Sequence, residues 1–246
     1  MPQDDFIDRA LTRDEETIRD MFSHEAPHYD FLNHLLSFNL DKGWRKTAVR
    51  KSRFAEYGDN VRVLDLCTGT GDVLFEFLNN PNFKGKCVGL DFAQPMIDLA
   101  KNKSQTLNVS DRVDFVTGNV LDLQYGNDSF DIITISFGLR NLKDLTKGVD
   151  EIFRVLKPGG RFLSIEFFRP DNTASLAISS WYVGLVIPII GRLVSGRRGA
   201  YDYLPASRQK FVSADELNKL LESKGFRNVS YGHFLFRITT LHTAMK

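Results

Sequence analysis

Between Val61 and Phe168 the chain alternates short oily runs with helical ones, and this rhythm limits the folds open to it. "VRVLDL", "KCVGLD", "VDFVTG", "FDIITISF" and "GRFLSIEF" are short, rich in β-branched or aromatic residues, and nearly continuous in apolar character. Strands of that kind are covered on both faces. A helix from about Gly71, then "AQPMIDLAKNKSQTL" and "LTKGVDEIFRVL", separate them. Strands alternating with helices predict an α/β fold with a mostly parallel sheet, built from right-handed crossovers and with helices on both faces.

The flanks follow other rules. Residues 1–55 read as helices: "DEETIRDMFSHEA" places Ile18, Met21 and Phe22 at helical spacing, and "YDFLNHLLSF" and "DKGWRKTAVRKS" follow. After Pro170 the rhythm breaks for an apolar lobe within residues 171–212. It resumes over 213–246 with "SADELNKLLESKG", where Ser213 and Glu216 form a capping box and Gly225 is the stop. "RNVSYGHFLF" and "ITTLHTAMK" then read as a strand hairpin. With 246 residues, the whole chain is expected to be one domain with residues 61–168 as its core.

Composition weighs against several functions. A formal net charge of +1 gives no global field towards nucleic acid. Two cysteines, Cys67 and Cys87, in strand-like contexts suggest reduced core thiols and a cytoplasmic protein, and a zinc site would want four clustered ligands, so no metal is expected. The acidic start "MPQDDFIDRALTRDEETIRD" has no apolar run, so no leader is expected. "SLAISSWYVGLVIPIIGRLVSG" approaches a membrane span in length, but Pro188, Ser179, Ser180 and Arg192 interrupt it. A span needs about 20 mostly apolar residues, so a buried or interfacial lobe is expected.

In an open parallel sheet ligands bind beyond the carboxyl ends of the strands. Strand one ends in "DLCTGTGD", Asp65 to Asp72, where Gly69 and Gly71 let the backbone turn and approach a ligand. Strand two ends at Asp91, whose carboxylate can accept from two ribose hydroxyls, and strand three leads to Asn119, placed for an adenine edge. The third glycine of a dinucleotide loop would fall at Leu74, which argues against an oxidoreductase. Asp65 and Asp72 suit the ammonium and sulfonium of a methyl donor better than a pyrophosphate. With "LKPGGR" leading into strand five, the pattern resembles the class I S-adenosyl-L-methionine-dependent methyltransferases, although Cys67 stands where their first glycine is usual. The resemblance implies seven strands, the last one antiparallel.

Three further stretches narrow the resemblance. "YDFLNHLLSFNLDKGWRK", "SFGLRNLKD" and "IPIIGRLVSGRRGAYDYLPAS" are similar to signatures of the menaquinone/ubiquinone biosynthesis C-methyltransferase family, and the likeness covers nearly the whole chain after about residue 15. It implies C-methylation of a prenylated quinol, demethylmenaquinol or a polyprenyl benzoquinol. It also implies cofactor contacts at Thr70, Asp91, Asn119 with Val120, and Ser136, and a lid of N-terminal helices carrying Tyr29 and Asp30. Phe168, where a small residue is common, and "RQKF" after Ser207 depart from the family pattern.

Methylating a ring carbon requires a quinolate held against the donor in the absence of water. Arg140 and Asn141, just past the oily strand four, are the candidate catalytic residues. Arg140 would stabilise the developing oxyanion and Asn141 would position the second oxygen. The proton would leave through water to Asp72, Tyr201 or Tyr203. The competing role for Arg140 is a structural ion pair, with Asp144 as its partner. Trp44 and Arg45 read as a helix packing face, and His24, His28 and His34 as surface or packing residues. The apolar lobe, with Trp181, Tyr182 and Ile187 ahead of Arg192, Arg197 and Arg198, would admit a prenyl tail while the arginines meet lipid phosphates at the inner membrane face. The alternative use of that surface is a homodimer interface.

Overall fold

In the computed structural model, residues 9–169, 200–234 and 237–246 are described, apart from the side chains of His28, Ala200, Tyr201 and Asp202. The apolar stretch Ser175–Gly196 and Arg197 and Arg198 therefore lie outside the described residues. Among those described, no helix is long and apolar enough to cross a membrane.

Why the oily runs are continuous is visible in the sheet. Its strands are β1 (Arg62–Leu66), β2 (Lys86–Asp91), β3 (Val113–Thr117), β4 (Phe130–Ser136), β5 (Leu156–Phe167), β6 (Arg227–Phe234) and β7 (Thr239–Met245), ordered β3-β2-β1-β4-β5-β7-β6. Strands β1 to β5 are parallel, and β7 runs antiparallel between β5 and β6. Neighbouring residues on a strand point to opposite faces. Val63, Ile132 and Leu163 enter one core, while Leu64, Ile133 and Phe162 enter the other.

The first core is closed by α3 (Leu40–Ser52), α4 (Asp72–Leu78) and α5 (Gln94–Thr106), through Trp44, Phe77 and Ile97. The second is closed by α6 (Leu145–Val155) and α8 (Ala214–Ser223), through Val149, Ile152, Leu217 and Leu221. Two further helices, α1 (Glu15–Glu25) and α2 (Tyr29–Leu36), precede α3, and α7 (Ala200–Lys210) precedes α8. Ile18 and Met21 of α1 pack with Tyr203 of α7.

The cap of α8 is the reciprocal one its sequence predicts. Ser213 accepts from the Glu216 N–H, and the Glu216 carboxylate accepts from the Ser213 N–H. Strand β5 begins earlier than "GRFLSIEF" suggested. Leu156 already pairs with Phe130, but the next pairing is Arg161 with Ile132. The intervening "KPGG" is accommodated as an irregularity in the strand, and its turn residues hid the first rung from a periodicity argument.

The chain winds outward from β1 in both directions, through β2 and β3 on one side and β4 and β5 on the other. The point where the winding reverses opens a crevice beyond β1 and β4.

Candidate active site

The loop after β1 is shaped by backbone conformations that side chains resist. Cys67, Gly69 and Gly71 have φ of +51°, +54° and +89°. The atypical Cys67 thus occupies a left-handed conformation that explains why glycine is usual there. Gly69 donates its N–H to Asp91 Oδ2 at 2.9 Å, and a Cβ on it would lie 3.5 Å from Tyr29. Gly71 serves a different need from the one expected. Its Cβ would meet Phe115 and Phe75 at 2.9 Å, so the missing side chain makes room for core rings, not for a ligand.

The loop's carboxylates are also committed differently. Asp65 accepts from the Thr68 and Thr134 hydroxyls, both at 2.6 Å, and is buried. Burial pushes its pKa up to about 7, with the nearby Asp91 adding to the rise. Asp72 is held by Lys103 at 2.9 Å and Arg45 at 3.1 Å. Burial opposes its ionisation, but the two cations outweigh it and the pKa is lowered. Neither carboxylate is left to face a ligand cation, and Asp72 is too weak a base to be the proton acceptor considered above.

Two lobes of a groove pass over this loop. One is lined by Asp91, Phe92, Asn119, Val120 and Leu142. The other is lined by Tyr29, Gly69, Asp91, Phe92, Met96 and Ser136. Asp91 belongs to both. Its oxygens are oriented by the N–H groups of Gly69 and Ala93, each at 2.9 Å. The Asn119 side-chain oxygen accepts from the Leu121 N–H, which leaves its amide NH₂ to donate. This arrangement fits an adenosine joined to an amino-acid arm: a donor amide at the base end, a carboxylate between the lobes, and a narrow second lobe. Thr70 is buried beneath the loop, where it donates to Asp30 at 2.5 Å and accepts from Lys103 at 2.9 Å.

Beyond Tyr29 and Phe137 the groove meets a larger cavity, with about 940 Å³ of atom-free space including its mouth. Met21, Phe22, Leu36, Trp44, Phe137, Phe167 and Ile238 line its apolar part, and Glu25, Asp41, Arg45, Arg140 and Tyr203 also face it. Trp44 and Arg45 are therefore more than a packing face, since both line this cavity. His34 packs on α3, where its Nδ1 meets Asp41 at 2.7 Å.

The end of the oily strand explains its cation. Phe137 follows β4 with φ +58°, and a short 3₁₀ turn, Leu139–Asn141, folds back onto its carbonyl. That oxygen accepts from Arg140 Nη1 at 2.7 Å and from Asn141 Nδ2 at 3.3 Å. Arg140 also pairs with Glu166 at 2.6 Å. Asp144 is not its partner, because that carboxylate caps α6 by accepting from the Lys147 N–H. Arg140 is 7% exposed, and its Nε has no hydrogen-bond partner. Tyr203 donates to Asn141 Oδ1 at 3.0 Å, and burial raises its pKa, so it acts as a donor and not as a base. The Tyr201 side chain lies outside the described residues.

Glu166 and Lys103 were missed by sequence reasoning. Glu166 is a fully buried acid inside an apolar strand, and that anomaly alone could have signalled it. Lys103 bridges Asp30, Asp72 and Thr70, and nothing local in α5 marks it.

The ubiE/COQ5 methyltransferase family model matches residues 10–246. The chain belongs to that family. It is a methyltransferase, and its methyl donor is S-adenosyl-L-methionine, which the two-lobed groove fits. It is 42% identical over 236 residues to the ubiquinone/menaquinone biosynthesis C-methyltransferase UbiE of Geobacter sulfurreducens, covering 96% of this chain and 91% of that one. It is 36% identical over 229 residues to the demethylmenaquinone methyltransferase of Lactiplantibacillus plantarum, covering 93% and 95%. Among solved structures, the cyclase SpnF superposes with a TM-score of 0.68 at 17% identity, covering 94% and 96%. A SAM-dependent methyltransferase from Aquifex aeolicus gives 0.54 at 21%, covering 77% and 85%. These show the class I fold alone, and a cyclase among them underlines that the fold does not set the chemistry. The family membership does.

Proposed function

We propose that this ubiE/COQ5 family enzyme C-methylates the reduced ring of a prenylated quinol, with demethylmenaquinol as its acceptor. One observation carries the reading: a largely aromatic-walled cavity shares Phe22, Tyr29 and Phe137 with the donor groove and holds Arg140 in its wall. An uncharged bicyclic ring matches the aromatic wall, and the cation suits the one charge the reaction creates.

Bound S-adenosyl-L-methionine supplies a methyl group already activated by its sulfonium. The chain's own residues must make the ring carbon nucleophilic and hold it in line. Arg140, fixed by Glu166 and the Phe137 carbonyl, stabilises a quinolate oxygen in a water-poor wall. It does not take the proton, since a guanidinium remains charged. The proton leaves through water. Asn141 faces the donor groove and receives the Tyr203 hydroxyl, so it ties the acceptor wall to the donor lobe. Tyr29, so near Gly69 that a Cβ there would meet its ring at 3.5 Å, closes the groove from α2 and excludes water. Such positioning is worth up to about 7–11 kcal/mol in the best model systems.

The prenyl tail would keep the acceptor in lipid, so the enzyme would work from the cytoplasm in brief contact with the inner membrane face. The test uses purified protein, donor and demethylmenaquinone in detergent, analysed by mass spectrometry. A product heavier by one methyl, formed only after chemical reduction of the quinone, is expected. Methylation of a reduced benzoquinone in its place would move the acceptor to the ubiquinone side. Equal product from the oxidised quinone would defeat the quinolate mechanism.

A further inference from the structure

Helices α2 and α3 each have two working faces. Tyr29, Asn33 and Leu36 of α2, and Asp41, Trp44 and Arg45 of α3, look into the acceptor cavity. The outer face is unlike an ordinary solvated surface. Phe31 and Leu35 stand one turn apart on α2, 60% and 40% exposed, and Leu40 at the start of α3 is 43% exposed. Among the described residues, four of the six exposed large apolar side chains fall within residues 31–40. Scattered exposed leucines are ordinary, but a concentration of this kind marks an interaction site.

The same hairpin carries a basic ridge. Lys42, Lys46 and Arg50 recur every fourth residue along α3 and are exposed. Among the described residues none of the three is in an ion pair, whereas Arg45 on the inner face meets both Asp41 and Asp72. Cations four apart on a helix repel weakly and lower its stability, so the ridge costs the free protein something that an anionic partner would repay.

We propose that this outer face of α2 and α3 docks the enzyme on an anionic lipid bilayer. Phe31, Leu35 and Leu40 enter the boundary between headgroups and acyl chains, and Lys42, Lys46 and Arg50 meet the lipid phosphates. The inference rests on the reading of the acceptor as a prenylated lipid, and it gives that reading a route. The helices that touch the membrane on one side wall the cavity on the other, so a quinol leaving the bilayer has only the thickness of the hairpin to pass. A second copy of the chain is a poorer occupant, because a twofold contact would set the basic ridge near itself.

The full chain is mixed, without quinol, with vesicles of phosphatidylcholine alone or containing phosphatidylglycerol, and co-sedimentation is measured. Wild type is expected to bind the anionic vesicles at least about tenfold more tightly, and added salt should weaken the binding. The pairs Phe31→Ser/Leu35→Ser and Lys42→Glu/Lys46→Glu should each lose about tenfold, while Lys42→Arg/Lys46→Arg keeps wild-type binding. Donor affinity by calorimetry should stay unchanged in all three, which excludes misfolding as the cause. Wild-type binding by both disruptive variants, or no preference for anionic vesicles, overturns the proposal. So does light scattering that shows the serine pair converting a dimer to a monomer with vesicle binding intact. Because vesicle binding needs no acceptor, failure of the acceptor reading shows separately, as no turnover of a short-tail quinol in detergent.

Discussion

Arg140 combines two roles that the residue alone could not decide between: it is ion-paired and it faces the cavity. The pair is what aims it. Arg140→Lys keeps a cation opposite Glu166 but loses the planar fork that also holds the Phe137 carbonyl. We expect kcat to fall about 10²–10³-fold, with donor affinity by calorimetry and the melting temperature little changed. Glu166→Gln is expected to behave differently. It leaves a cation in a buried site without its counter-ion, and a loss of about 3–5 kcal/mol of stability in urea melts is expected. The identity of the cation was legible at this scale, and its partner was not. Asp144 is four residues away in sequence, whereas Glu166 is brought to Arg140 by the pairing of β4 with β5. Arg208 is a second residue whose environment only the structure reveals. It is the departure noted in "RQKF", it is 4% exposed, and burial lowers its pKa to about 10. It donates from Nε to the Phe168 carbonyl, but Nη2 has no partner. Arg208→Leu, which removes this unpartnered buried cation, is expected to raise the melting temperature in calorimetry by a few degrees, about 1 kcal/mol of stability.

Elements read more easily than contacts. All seven strands and most helices follow from the sequence pattern: β1, β2, β4 and β5 carry long buried runs that stand out against their flanks, and the half-exposed β6 is marked by its hairpin with β7. How the N-terminal helices attach was not legible, since their anchor is made between elements far apart in the chain. Lys103 of α5 reaches Asp30 of α2 at 2.5 Å and Asp72 of α4 at 2.9 Å, and Asp30 in turn accepts from Thr70 in the glycine loop. Arg45 of α3 joins the same Asp72. This cluster couples the helices that close the groove to the loop that cradles the donor. Removing its central cation takes from Asp30 and Asp72 the ammonium they share and leaves Arg45 paired with Asp72. Lys103→Met should therefore loosen α2, and the expected result is a roughly tenfold weaker donor affinity, about 1.4 kcal/mol. kcat at saturating donor should change far less. Calorimetric titration checks the first and steady-state rates the second. A fall in kcat with unchanged affinity would place Lys103 in the chemistry and not in the latch.

Among the described residues, the buried Asp65 and His242 have titrations that oppose each other across the whole molecule, and neither could be found from residue types alone. Asp65 sits at the β1 end, where burial lifts its pKa to about 7 from an ordinary 3.8. His242 sits in β7 behind α8, where burial lowers its pKa to about 4 from 6.5. Between about pH 4 and 6.5 the folded chain holds a proton on Asp65 that the unfolded chain has released. Over the same range it lacks one on His242 that the unfolded chain has bound. The first makes stability fall as pH rises, and the second makes it rise, each by about 1.4 kcal/mol per pH unit. In the wild type these two slopes offset each other. Single substitutions should expose them. Relative to wild type, Asp65→Asn should gain stability with rising pH across this window, and His242→Gln should lose it. Above about pH 6.5 the histidine no longer contributes, so the difference between His242→Gln and wild type should level off, while Asp65→Asn continues to gain until about pH 7. Urea midpoints at half-unit steps, taken as differences from wild type so that every other titrating group cancels, measure both slopes. An Asp65→Asn difference curve that stays flat from pH 4 to 7 would mean that Asp65 is already ionised in the folded chain, held by the Thr68 and Thr134 hydroxyls strongly enough to overcome its burial.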